Sequence, residues 1–108
     1  MAQDFRNVKA AARGTSAAAL FTAGDYDAVI GIRCTNILTT TIKVDVYIVN
    51  GGTSHYLAKG ASIPPGGSIE LIQGGAKIVM VNGDVLWHDV DTASALDIWV
   101  SYIDTISS

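Results

Sequence analysis

Charge is scarce in this 108-residue chain: 16% of residues are Asp, Glu, Lys or Arg, against about 25% in ordinary globular domains. Cysteine occurs once, at Cys34, which excludes an intrachain disulfide and a multi-cysteine metal site. The two prolines stand side by side at Pro64 and Pro65, so proline marks one stop in the chain. No uncharged apolar run approaches the roughly 18 residues that a spanning helix needs. Charges also stand in the opening "MAQDFRNVKAAARGTS" where a secretory leader would carry its apolar core. Synthesis in a cytoplasm without general secretory export is the expectation.

What is present is apolar and glycine-punctuated. Hydrophobic residues make up 49% of the chain and glycine occurs 11 times. A domain of this size buries about 65% of the surface its unfolded form exposes, enough for one modest core. So little charge over so much apolar residue points to surface hidden against other chains. Charge is also uneven. Residues 1–14 carry Arg6, Lys9 and Arg13 against Asp4, and the rest is net acidic. A basic arm on an acidic body suits docking on a neighbouring copy. Nucleic acid is not expected, because three cations without interleaved aromatics make a poor footprint.

The period of the apolar residues changes along the chain. "DFRNVKAAARG" places Phe5, Val8 and Ala12 at helical spacing, which predicts a short helix ended by Gly14. From Thr15 the period is two. "AVIGIRCT" predicts Ala28, Ile30, Ile32 and Cys34 on one face, Cys34 being a small core residue. "TIKVDVYIV" puts Ile42, Val44, Val46 and Ile48 inward, with Lys43, Asp45 and Tyr47 outward. Asn50-Gly51-Gly52 is a hairpin signal, and Asn82-Gly83 another turn. "ALDIWVSYI" puts Leu96, Ile98, Val100 and Tyr102 on one face and Asp97, Trp99, Ser101 and Ile103 on the other. The pattern predicts an all-β fold: about eight antiparallel strands in a β-sandwich or jelly roll over residues 15–108, with residues 1–14 as a short N-terminal arm.

Chemistry has little to build on. The two histidines, His55 and His88, fall on predicted strands beside outward neighbours, which predicts surface or interface positions. Neither a nucleophile elbow nor an oxyanion-hole motif accompanies them. Asp25 with Asp27, and Asp89 with Asp91, have the i, i+2 spacing of partial Ca²⁺ loops but lack the further ligands of an EF-hand, so they read as turn residues. The glycine pairs match neither a P-loop nor a dinucleotide fingerprint. No catalytic residue, cofactor or metal is predicted. Tyr56, Trp87 and Trp99 are candidates for a sugar-stacking platform. Against that reading, Trp87 packs in the core beside Val85 and Trp99 anchors a subunit interface.

Four stretches together, "ALFTAGDYDAVIGIRCTN", "YLAKGASIPPGGSIEL", "KIVMVNGDVL" and "VSYIDT", resemble small β-sandwich virion structural proteins of tailed bacteriophages, of the marine phage and cyanophage type. The resemblance spans roughly residues 2–105. It implies a repeated, non-enzymatic part of the virion that decorates or cements the capsid, or forms part of the neck or tail. Its expected partners are copies of itself and other virion proteins, with no membrane. Phe5, Arg6, Val8, Lys9, Arg13 and Trp99 are the expected assembly interface. A carbohydrate-binding or host-adhesion module of a fibre or tail, using Tyr56, Trp87 and Trp99, is the alternative.

Overall fold

A computed structural model describes residues 4–24, 26–72 and 77–104, which form nine strands and no helix. In chain order these are β1 (Asp4–Arg13), β2 (Ala18–Thr22), β3 (Tyr26–Asn36), β4 (Ile42–Asn50), β5 (Thr53–Ile63), β6 (Ser68–Glu70), β7 (Ile78–Val81), β8 (Val85–Val90) and β9 (Leu96–Asp104). They make two antiparallel sheets packed face to face. Sheet A has the order β1-β9-β3-β6, with β7 also paired to β3; sheet B has the order β2-β8-β4-β5.

Between the sheets lies the core the alternation predicts. Ile42, Val44 and Val46 of β4 meet Leu96, Ile98 and Val100 of β9, and all are almost fully buried. Each such side chain contributes about 1.5–3 kcal/mol on burial. The Asn50-Gly51-Gly52 turn joins β4 to β5 as expected, with Gly51 and Gly52 at φ 60° and 81° and Asn50 opposite Thr53. That left-handed backbone suits glycine.

Two expectations are corrected. The segment predicted as a short helix is instead β1, a ten-residue edge strand paired with β9 from Asp4 to Arg13. Ten residues cannot sustain a helix alone, whereas β9 offers a full row of backbone partners. This strand is the ninth, added to the eight expected. In β3, a bulge between Val29 and Gly31 resets the alternation. Val29, Ile32 and Cys34 therefore join the core, while Ala28 is buried on the outer side between Val79 and Ile103.

Asn36 closes one end of the core. Its side-chain amide donates to the carbonyls of Thr40 (2.7 Å), Ile63 (3.0 Å) and Pro64 (3.1 Å), and its Oδ1 accepts from the Leu38 N–H (2.9 Å). Fully buried, it ties β3, the following loop and the end of β5 together.

Candidate functional site

Period two sends every second residue of β9 to the outer face of sheet A, and the strand registers assemble those residues into rows. One row is apolar across four strands: Val79, Ala28, Ile103 and Phe5 lie opposite one another on β7, β3, β9 and β1. Tyr26 and Val81 form a pair beside it. The row faces outward: its two ends, Phe5 at 76% and Val79 at 58%, are exposed, while Ile103 is half-buried and Ala28 buried between them. A second row, Arg33–Trp99–Lys9, crosses β3, β9 and β1. The Lys9 ammonium sits 5.1 Å from the Trp99 ring centroid, a cation–π contact. Arg33 donates to Ser68 Oγ (3.3 Å) and lies 3.9 Å from Glu70 Oε1.

Beside Trp99 the face is hollow. A groove of about 410 Å³ is floored by Ala10, Ala11 and Ile98 and walled by Trp99, Lys9 and Arg33. The small outward side chain of Ala11 makes the space, while Ala10 packs against the core beneath it. The register with β9 breaks between Ala10 and Arg13, where Ala12 takes φ 51° and its N–H is held by Asp97 Oδ1 at 2.8 Å.

The outer face of sheet B carries a different row. Trp87, Tyr47 and Tyr56 lie opposite one another on β8, β4 and β5, with ring centroids 6.4 Å and 5.0 Å apart along the row. Lys59 caps Tyr56 at 4.7 Å and pairs with Asp45 at 3.6 Å. Asp45 raises the Lys59 pKa above its ordinary value. Burial, then the neighbouring Tyr56 and carboxylates, push the Tyr47 phenol up.

These positions separate the predicted residues. In β1, Phe5 and Lys9 point outward while Val8 packs against the core, so Phe5 and Val8 do not share one apolar surface. Arg6 pairs with Asp104 at 3.2 Å. Arg13 turns between the sheets, where its Nε donates to His88 Nε2 at 3.0 Å. His88 is 1% exposed, which corrects its expected surface position; burial first, then Arg13, lowers its pKa. Trp87 is not in the core: Leu86, His88 and Val90 point inward, and Trp87 outward with Val85 and Asp89. Trp99 belongs to sheet A and Tyr56 with Trp87 to sheet B, so the three make no single platform.

His55 is exposed on β5. Asp91 caps the Lys43 N–H at 3.0 Å and Asp27 accepts from the Gly24 N–H at 3.0 Å, while Asp25 lies outside the described residues. Among the described residues no three His, Cys, Asp or Glu side chains gather as metal ligands. Burial and the nearby Glu70 push the Cys34 thiol up to about 12.

Sequence reasoning missed Tyr47 and Ile103 as site residues. Tyr47 had a signal: a two-residue hairpin loop at Gly51-Gly52 sets Tyr47 opposite Tyr56 by counting back. Ile103 had none, since β9 pairs with β1 and β3 across most of the chain's length. The chain matches no family model, and no curated protein or solved structure is similar to it.

Proposed function

We propose that this chain is a non-enzymatic structural subunit of a tailed-bacteriophage virion, present in many copies and joined to its neighbours through sheet A. The observation that carries this reading is the outward apolar row Val79–Ala28–Ile103–Phe5 on a sheet whose edge strand β1 has one partner. Exposed apolar surface next to an open sheet edge is what a protein uses to join others. The setting is taken from the resemblance read in the four sequence stretches, "ALFTAGDYDAVIGIRCTN", "YLAKGASIPPGGSIEL", "KIVMVNGDVL" and "VSYIDT". The test is quantitative mass spectrometry of purified particles of the phage that encodes it. Tens of copies or more per particle are expected, and absence from washed particles overturns the reading.

The aromatic row Trp87–Tyr47–Tyr56 favours a second reading, a glycan-contacting face on sheet B suited to host adhesion. Its rings and the polar pair Asp45–Lys59 combine a stacking surface with hydrogen-bonding groups. Glycan-array binding that Tyr56→Ala abolishes and Trp99→Ala leaves intact would support it, because Trp99 sits on the other sheet.

A further inference from the structure

Among the described residues five strands, β1, β2, β5, β6 and β7, have a free side, and they differ in how well that side could take another strand. β5 is interrupted by register shifts at Val44–Val46 and Val46–Tyr47 opposite it, and by Gly60 at φ 62°. β2 has five residues and a shift of its own, β6 has three and β7 four. β1 alone among these keeps an unbroken register with its neighbour over seven residues, Asp4–Ala10. Bulges and short lengths are how proteins blunt edges. β1 lacks both until Ala12.

We propose that β1 is a homotypic pairing edge: two copies join β1 to β1, antiparallel and centred on Val8, and Phe5 of each fills the groove beside Trp99 of the other. This rests on the reading of the chain as a repeated subunit and names the contact. A two-fold axis normal to the sheet keeps both outer faces on one side, so outward residues oppose outward residues. With Val8 on that axis, Phe5 stands opposite Ala11, Asn7 opposite Lys9, and Arg6 opposite Ala10. No like charges stand directly opposite; the two Lys9 are diagonal neighbours. The Lys9 ammonium, which already reaches its own Asn7 Oδ1 at 3.0 Å, has a second amide oxygen across the axis.

Neighbouring registers fail on the same residues. Centring on Arg6 or Lys9 sets two cations directly opposite, which is destabilising. Centring on Asn7 puts Phe5 against Lys9 and leaves the groove over Ala11 open. Only the Val8 register brings the most exposed large apolar side chain of the described residues, Phe5, onto the alanine floor of the groove of about 410 Å³. Each dimer makes that contact twice. An aromatic ring covered this way buries about 150–250 Å², and the strand pairing adds main-chain hydrogen bonds, as in β-augmentation. The patch is small beside the roughly 1,600 Å² of a standard stable interface, so the dimer is weak in solution and gains strength from repetition in an assembly.

Two single variants test the register, Phe5→Cys and Ala11→Cys, both at exposed sites. The native Cys34 is fully buried and stays silent. Under mild oxidation an equal mixture of the two should give a disulfide-linked dimer on a non-reducing gel. Each variant alone should not, because like positions lie roughly 20 Å apart at ~3.4 Å per residue. In sedimentation equilibrium, Phe5→Lys should raise the dimer Kd at least tenfold, with Ser54→Lys on β5 as the unchanged control. A chain that stays monomeric at millimolar concentration overturns the proposal, as it would if the groove serves a sugar or another virion protein. Cross-linking as efficient in Phe5→Cys alone also overturns it. Particles rich in the chain without this cross-link refute the interface only, and the cross-link in a chain absent from particles refutes the virion reading only.

Discussion

At the scale of single residues, the polar groups that matter are buried. Asn36 uses both ends of its amide inside a site that water does not reach. Replacing it with leucine removes the donor to the Thr40, Ile63 and Pro64 carbonyls and the acceptor of the Leu38 N–H. Pro64 keeps the Gly67 N–H at 2.9 Å, and each buried group left unpaired costs about 1–3 kcal/mol. We expect Asn36→Leu to lose roughly 3–5 kcal/mol in urea titration, near the top of the range for point substitutions. A loss under 1 kcal/mol would mean the loop after β3 rearranges to satisfy itself. Cys34 makes the opposite point. A thiol raised to about 12 by burial and by Glu70 holds almost no thiolate at neutral pH. It should resist iodoacetamide at pH 8 until urea unfolds the chain, and rapid labelling of the folded protein would contradict its placement. The alternating pattern identified Cys34 as core, while Asn36 was silent in the sequence because its partners come from three separate segments.

At the scale of elements, β1 carries the clearest correction. Its alanines and lysine suit a helix in isolation, yet β9 supplies a backbone ladder that a ten-residue helix lacks. Its C-terminal end is pinned across the sandwich by Arg13, which donates to His88 of β8 while its own carbonyl accepts from the Ala95 N–H at 2.9 Å. That contact needs an unprotonated Nε2 on His88. The folded-state pKa of His88 lies below the ordinary value of about 6.5, chiefly through burial and Arg13, with Asp89 opposing. Below that ordinary value the unfolded chain binds the proton more readily than the folded one, so stability falls as pH drops. The contribution is fully present above about pH 6.5 and is lost progressively as pH falls toward the folded value. Urea midpoints measured from pH 7.5 to 5 should decline, and His88→Gln, which keeps an acceptor and cannot titrate, should flatten that limb. Equal slopes in both proteins would remove His88 as the cause. Strand phases in β4 and β9 were legible because one face is wet and the alternation is clean. The phase of β3 was not, because a bulge adds a residue without any distinguishing type at Ile30. The face of Trp87 was misread for a related reason: β8 alternates polar His88 inward with apolar Trp87 outward, against the usual hydrophobic rule.

At the scale of the whole molecule, chain order and sheet order disagree in one consequential place. β9, the last strand, lies between β1, the first, and β3. Hairpin counting reaches β4–β5 from sequence, but nothing local announces that the two ends of the chain pair. Sheet A therefore lacks its centre until β9 arrives, and the apolar row and the groove both run through it. Leu96, Ile98 and Val100 also supply the sheet A side of the core from that strand. A fragment of residues 1–90 should then lose more than an edge: β1 has no partner in sheet A, and β4 faces an unfilled space. The cost of three large apolar side chains, at about 2–5 kcal/mol each by comparison with truncation to alanine, is comparable to the whole stability of about 5–15 kcal/mol of a typical domain. We expect this fragment to show no cooperative urea transition by circular dichroism. Adding a synthetic peptide of residues 91–108 should restore the β-sheet signal and a sigmoidal transition, because the β8–β9 connection is a short turn whose cutting leaves every strand intact. A fragment that unfolds cooperatively without the peptide would show that sheet B and the rest of sheet A stand alone, and β9 would lose its place as the strand that joins the ends.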